Sequence, residues 1–445
     1  VKKRSNPWTE ARSVLRLAVP IALTQIGMVL YGTVDMIFVG RLGSGAIAAV
    51  GLGSITYFTL FVIGMGVIMG IDPHSAKAFG AGKPDLCGQL LVHTLVLALA
   101  VATPLFFAYA LAGPAFRAIG VDPAVCDGAV SYLRILRWGV FPGLCFVACR
   151  QFLQSMNVTT PLVAAIALGN VVNAVLDAAL VFGRWGAPML GVRGSAYATL
   201  AANLVMLGVA GAAARRRLRR IDFKFRGWRR RLIADVFATG LPGGLQMLVE
   251  VAIFSFVTAL VGRFGAETLA AHQMTLNLAS MTFMVPMGLS HAASARVGQA
   301  LGRGDVPAAE ASGRVATLMS VTFMAATGTA FACAPRFILG LYGASAAVIA
   351  IGAPLLYCSA AFQVFDGAQA ALTGALRGLG ETRRPLIFNL IGHWLIGLPI
   401  GATLEFEYGW GATGLWIGLA SGLAAVAVLL WREWGLASRR AEAAA

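Results

Sequence analysis

Charge is scarce in this chain: Asp, Glu, Lys and Arg make up 12% of it, about half the usage of an ordinary soluble domain. Set against 58% hydrophobic residues, that scarcity excludes a water-soluble globular protein, whose single core cannot take in so much apolar surface. Cysteine offers no framework either. The six, Cys87, Cys126, Cys145, Cys149, Cys333 and Cys358, fall mostly within apolar runs and lack metal-ligand spacing, so they read as small packing residues. A nucleotide loop is missing too. GMGVIMG at Gly64–Gly70 lies inside an apolar run with no strand before it, and Gly82 and Lys83 lack the rest of a phosphate loop. Without a nucleophile, metal cluster or phosphate cradle, the chain reads as no enzyme and as needing no cofactor. Any work it does must draw on an ion gradient or another outside source.

What the chain has is long apolar runs. Each covers about 20 residues or more, enough at 1.5 Å per residue to cross roughly 30 Å of hydrocarbon. Twelve spans are expected, at 14–39, 47–71, 88–112, 128–149, 161–183, 194–214, 235–261, 268–293, 313–335, 347–372, 386–404 and 411–431. Alanine- and leucine-rich runs of this length favour helices over barrel strands, which are short and alternate in polarity. The fold class is therefore an all-α membrane protein. The first span follows Lys2, Lys3 and Arg4, exceeds a signal-peptide core in length and has no small-residue cleavage site, so it is expected to be retained.

A net charge of +16 suggests nucleic acid until its distribution is considered. With both termini on one side, the opposite side holds only Arg41, Arg117, Arg134, Arg137, Arg184, Arg193, Arg263 and Arg336 of the 35 Lys and Arg. That asymmetry puts both termini in the cytoplasm. The densest run, RRRLRRIDFKFRGWRRR at Arg215–Arg231, reads as a cytoplasmic loop lying on anionic headgroups. Membrane lipids are thus expected partners and nucleic acid is not.

The chain also repeats itself. VGRLG at Val39–Gly43 recurs as VGRFG at Val261–Gly265, and the same offset carries Pro20 onto Pro242, Met65–Gly66 onto Met287–Gly288, and Gly80 and Gly82 onto Gly302 and Gly304. Two six-helix lobes in the same orientation follow, related by a pseudo-twofold along the membrane normal, with the interface between them as the expected substrate cleft. The lobes are expected at 1–214 (spans 1–6) and 235–445 (spans 7–12, with a short cytoplasmic tail), joined by the basic linker 215–234. The VGRxG copies themselves read as tight outer turns. The glycine pairs Gly66/Gly70, Gly374/Gly378 and Gly418/Gly422 read as places where helices approach closely.

Four acids lie well inside spans: Asp35, Asp177, Glu250 and Asp366, with no Lys or Arg expected at their depth. An ionised side chain at mid-membrane costs about 2.5 to 3.5 kcal/mol on insertion scales. Four uncompensated acids are therefore expected to be protonated or cation-bound part of the time, as in a site for protons, Na⁺ or organic cations. Asn173 sits one turn before Asp177 on the same face, and Thr199 adds a hydroxyl, together an oxygen set suited to a small hard cation. Na⁺ is expected at Glu250 with Asp366 or at Asp35 with Asp177. Met247, Phe254, Phe283 and Phe365 lie near the acids and suit a flat lipophilic cation through cation-π and soft contacts. His93, His272 and His393 read as satisfied polar groups.

These residues resemble the MATE (multidrug and toxic compound extrusion) family over nearly the full length. The matching pieces are Pro20 with Asp35, NVVNAVLD at Asn170–Asp177, LPGGLQMLVE at Leu241–Glu250 and FDGAQAALTGALRGLGETRRP at Phe365–Pro385. Glu250 together with Asp366 is similar to the NorM-type bacterial branch rather than the DinF-type branch. The resemblance implies an antiporter of the bacterial inner membrane that exports cationic or amphiphilic drugs and dyes in exchange for Na⁺ or H⁺ by alternating access. It implies that Glu250 and Asp366 bind the coupling cation in the second lobe, that Asp35, Asn173, Asp177 and Thr199 form a cation or proton site in the first, that Pro20 lets the first helix bend, and that a monomer suffices. The alternative is a lipid-linked oligosaccharide or lipid flippase of related two-lobe architecture. Such a protein needs basic residues in its cleft to hold pyrophosphate, where this chain places acids.

Overall fold

The computed structural model describes residues 7–443; the Lys2, Lys3 and Arg4 run lies outside the described residues. Among those residues every regular element is helical. Eleven helices are long and apolar enough to cross a membrane: α1 (Pro7–Gly40), α2 (Ser44–Gly80), α3 (Pro84–Ala118), α4 (Pro123–Ser155), α5 (Thr160–Phe182), α6 (Val192–Arg220), α7 (Arg230–Phe264), α9 (Val306–Cys333), α10 (Ala346–Leu379), α11 (Arg383–Phe406) and α12 (Gly411–Ala443). Between α7 and α9 runs α8 (Ala266–Gly302), the longest unbroken α-helix at 37 residues. It differs from the span expected at 268–293 in being less apolar than its neighbours, because His272, Gln273, Asn277, His291 and Gln299 are spaced along it.

Local chemistry sets many of the ends. Asp122 caps α4 by accepting from the backbone N–H of Ala124 and Val125, with Pro123 in the first turn where its missing N–H is harmless. Ser345 caps α10 in the same way through Val348, and left-handed Gly380 closes it. The two VGRxG copies have nearly the same backbone: Gly43 has φ 106° and ψ 172°, Gly265 φ 97° and ψ 171°. Only glycine adopts that region freely, which is why both turns carry it. Three helices change their winding partway: α3 tightens to a 3₁₀ turn at Tyr109–Leu111, α4 does so at Arg137–Gly139, and α11 widens to a π-helix over Leu390–Gly397.

Two compact units emerge, one of residues 23–79 and 83–244, the other of residues up to 22, 80–82 and 245 onward. The division runs through helices α1 and α7 rather than through the 215–234 loop. Residues 7–22 belong with the second half of the chain and residues 235–244 with the first. The two crossing points, Ala22/Leu23 and Gly244/Leu245, correspond under the internal repeat, and each follows a proline inside its helix, Pro20 and Pro242. A proline removes one rung of the helical ladder, so each helix changes unit just past its weakest point.

Glycine decides the packing in both. In the unit of residues 23–79 and 83–244, a Cβ on Gly66 would lie 2.1 Å from the Gly244 Cα, and one on Gly70 2.1 Å from the Val236 carbonyl. In the other unit a Cβ on the equivalent Gly288 would lie 2.8 Å from the Ala22 Cβ, one on Gly374 2.1 Å from the Ser290 carbonyl oxygen, and ones on Gly418 and Gly422 2.5 Å from those of Gly397 and Gly392. All three glycine pairs singled out by spacing thus make backbone-to-backbone contacts. The second unit is also held by Glu10, which accepts from Arg296 at 2.8 Å and from the Ser312 hydroxyl at 2.5 Å, and by Glu433, which binds both Arg384 and Arg440.

Candidate functional site

The four acids form two pairs, one within each unit. In the unit of residues 23–79 and 83–244, α1 presents Asp35, α5 presents Asn173 and Asp177, and α6 presents Thr199. Asn173 Nδ2 donates to Asp35 Oδ1 at 2.8 Å, and Thr199 Oγ1 lies 3.0 Å from Asp35 Oδ2. One turn before Asp35, the Tyr31 hydroxyl donates to the Thr199 carbonyl at 2.7 Å and ties α1 to α6. Asp177 is fully buried, at 0% exposure, and neither of its carboxylate oxygens has a hydrogen-bond partner. It lies close enough to Asp35 and to Ser195 to interact directly with both. Asn173 Oδ1 and Ser195 Oγ are likewise buried and unpartnered. Asp35 thus accepts one donor on each oxygen, and beside it stand four buried oxygens with none. Asn170 takes no part, because its amide donates to the carbonyls of Gly27 and Ile166.

In the other unit α7 presents Glu250 and α10 presents Asp366, near enough for their charges to interact. Gln246 Nε2 donates to Glu250 Oε1 at 3.0 Å from one turn earlier on α7, and Gln369 Nε2 donates to the same oxygen at 2.9 Å from α10. Gln369 also reaches Asn389 Oδ1 on α11 at 3.1 Å, and Asn389 Nδ2 is anchored on the Pro385 carbonyl at 2.9 Å. A chain of amides from three helices thus orients Glu250. Arg377, on the same helix as Asp366, is close enough for its charge to act on Glu250. Helix α10 continues past the span expected from hydropathy, to Leu379, and carries that guanidinium toward the site. Among the described residues no three His, Cys, Asp or Glu side chains converge as a metal ion of fixed geometry would require.

The MatE family profile matches the chain twice, over residues 20–179 and 242–403. The two matches open on Pro20 and Pro242, the prolines that the internal repeat pairs. The chain belongs to the MatE family. It is 36% identical over 429 residues to the multidrug resistance protein NorM of Burkholderia vietnamiensis, covering 94% of this chain and 92% of that protein. To the probable multidrug resistance protein NorM of Brucella suis biovar 1 it is 34% identical over 446 residues, with coverage of 97% and 94%. Its fold matches the crystal structure of the eukaryotic MATE transporter AtDTX14 with a TM-score of 0.86 over 98% of both chains at 22% identity. The outward-facing structure of a multidrug resistance MATE transporter of the MOP superfamily matches with a TM-score of 0.87 at 22% identity, over 98% of this chain and 97% of that one. The protein is thus a MATE-family transporter related throughout its length to NorM-type bacterial proteins, and not an enzyme.

Of the aromatic and methionine residues expected at substrate, this MATE protein brings two together. Phe254 of α7 and Phe365 of α10 both pack against a cluster of Ala279, Phe362 and Leu423, with Phe254 edge-on to Phe362 at 6.1 Å. Met247 and Phe283 are half-buried and stand outside that cluster. The histidines divide. His93 is satisfied by the Gln89 carbonyl and the Arg229 N–H, and His272 by Thr258 and Trp416. His393, inside the π-helical stretch and 1% exposed, has no partner on either ring nitrogen. Sequence reasoning missed Tyr31, Ser195, Gln246, Gln369 and Asn389. Tyr31, Gln246 and Gln369 stood within one helical turn of an acid and were legible by spacing; Ser195 and Asn389 come from helices whose pairing no spacing reveals.

Proposed function

We propose that this MATE protein is a secondary antiporter of the inner membrane that exports cationic or amphiphilic drugs and dyes in exchange for Na⁺ or H⁺. In this reading α8 is the twelfth span, the twelve form two six-helix lobes with both termini cytoplasmic, and the lobes alternate access as a monomer. The observation that carries it is the set of unpartnered buried oxygens on Asp177, Asn173 and Ser195 beside Asp35. A buried acceptor without a donor costs about 1 to 3 kcal/mol, and more when charged. A proton or small cation relieves that cost, and relief that depends on ion occupancy is what couples an ion gradient to a conformational change. Glu250 and Asp366 offer a second pair of acids, with Gln246 and Gln369 holding one carboxylate in place. Phe254 and Phe365, by the second pair, suit the flat face of an organic cation, with Met247 and Phe283 as further soft contacts, and Pro20 lets α1 flex. The names of the NorM relatives support the substrate class.

The energetics are compatible. Exchange of one organic cation for one Na⁺ or H⁺ is electroneutral, and a tenfold ion gradient then supplies about 1.4 kcal/mol. A second inward charge adds about 2.3 kcal/mol per 100 mV. The test is movement of a fluorescent organic cation in proteoliposomes containing only this chain, under an imposed Na⁺ gradient and separately under a pH gradient. Transport under one of them is expected, with Glu250→Gln and Asp366→Asn inserting normally but inactive. Wild-type rates in both variants would remove these acids from the mechanism.

A further inference from the structure

We propose that a cavity at the 3₁₀ interruptions of α3 and α4 binds the phosphate of an anionic phospholipid, in the leaflet away from the basic loop. The cavity, about 240 Å³, is lined by Tyr109, Ala110, Val130, Leu133, Arg134 and Arg137. It forms where both helices tighten, at Tyr109–Leu111 and Arg137–Gly139. Two arginines therefore line a space smaller than the roughly 300 Å³ at which drug-sized sites begin, and their positive charge disfavours a cationic drug. A phosphodiester with a small headgroup meets both requirements.

Neither arginine is committed to a carboxylate among the described residues. The acids of α4 are occupied elsewhere: Asp122 caps the helix, and Asp127 faces Arg117 at 3.5 Å. The Arg137 guanidinium lies 4.5 Å over the Phe106 ring, and its buried Nε has no hydrogen-bond partner. Two arginines beside a cavity and without a carboxylate partner suit an oxyanion such as a phosphate.

Depth identifies the source of that charge. The basic loop seats on the start of α3, where Arg226 meets Asp85 at 2.8 Å and the Lys224 carbonyl accepts from Gln89 at 3.4 Å. From Gln89 to Tyr109 the helix rises about 30 Å at 1.5 Å per residue, the thickness of the hydrocarbon core. The cavity thus lies at the far boundary of the bilayer, at the level of lipid phosphates. Beside it Phe107, Leu111 and Trp138 are exposed, at 64%, 68% and 55%, an apolar flank for acyl chains with a tryptophan at the interface.

The test is lipid retention by the purified full chain, read by native mass spectrometry after incubation with equal amounts of phosphatidylglycerol and phosphatidylcholine. Wild type is expected to retain phosphatidylglycerol about tenfold or more over phosphatidylcholine, in keeping with two arginines near the headgroup plane. The preference should vanish in the double variant R134A/R137A and largely return in R134K/R137K. Because Arg134 is exposed, R134Q leaves the fold intact and should lose about threefold by itself. Equal retention of the two lipids by wild type, or an undiminished preference in R134Q and R134A/R137A, would overturn the proposal. So would thermal stabilisation of lipid-free protein by inorganic phosphate equal to that by phosphatidylglycerol, which marks a free-anion site. Drug transport is not part of the readout, so the result is independent of the antiport reading.

Discussion

At the scale of single residues, the two acid pairs are held differently. Asp35 accepts from Asn173 and Thr199, and Asp177 beside it has no hydrogen bond. Replacing Asp177 with Asn keeps the shape, supplies its own donors to Asp35 and removes the charge. Asp177→Asn is accordingly expected to be at least as thermostable as wild type, while ion binding at this pair, followed by calorimetry, is lost. At the other pair Gln369 donates to Glu250 Oε1. A hydrogen bond to a charged group contributes about 1.5 to 3 kcal/mol, so Gln369→Leu should shift the coupling-ion concentration for half-maximal transport by about tenfold or more. An unchanged ion dependence would show that Gln369 does not position Glu250. Glu10, which is 7% exposed on its side chain, pairs with Arg296 and Ser312. Removing one partner of a buried pair costs about 3 to 5 kcal/mol, so Glu10→Ala should lower the unfolding temperature in detergent well beyond the effect of a surface substitution.

At the scale of elements, close helix contacts rest on glycine. The Gly66 approach to Gly244 and the Gly288 approach to Ala22 are the same contact in the two halves of the repeat. A leucine at either place has no room, because the facing atoms are backbone or the first side-chain carbon. Gly66→Leu and Gly288→Leu should each abolish transport and change the protease sensitivity of the protein, and matched defects are expected because the contacts are equivalent. Transport at the wild-type rate in either would show that the contact opens freely. The π-helical turn of α11 places His393 where neither nitrogen finds a partner. Filling that position with an apolar ring removes a buried unsatisfied group, so His393→Phe should leave the unfolding temperature unchanged or raise it; a fall of several degrees would show that the imidazole is bonded.

At the scale of the whole molecule, the exchange of half-helices between the compact units follows the repeat: α1 and α7 each change unit just after a proline. The repeat puts the expected boundary of the lobes in the basic loop, between the sixth and seventh spans. The compact units divide inside two helices, where glycine lets backbones meet. Orientation is a property of this scale too. Most of the 35 Lys and Arg fall on one side of the expected topology, so a reporter fused to the C-terminus should be active only in the cytoplasm; activity outside would reverse the topology read from charge.

Much of this protein was legible because the signals are local. In hydrocarbon a chain satisfies its backbone within each span, so a run of apolar residues is at once a membrane signal and a helix signal. The repeat, the four intramembrane acids and the close-approach glycines are likewise properties of residue type and spacing. The partners of those acids are not. Asp35 is bound from α5 and α6 and Glu250 from α10, more than a hundred residues away in the chain, and which side chains meet across such distances is decided by helix packing rather than by any period in the chain. The same holds for the reach of Arg377 toward Glu250, the polar face of α8, the π-turn that strands His393 and the cavity at the two 3₁₀ turns. The sequence by itself determined a helical, twice-repeated membrane protein with acids at its heart. Tertiary structure alone decided which oxygens are left without donors, because an unsatisfied group is defined by its neighbours.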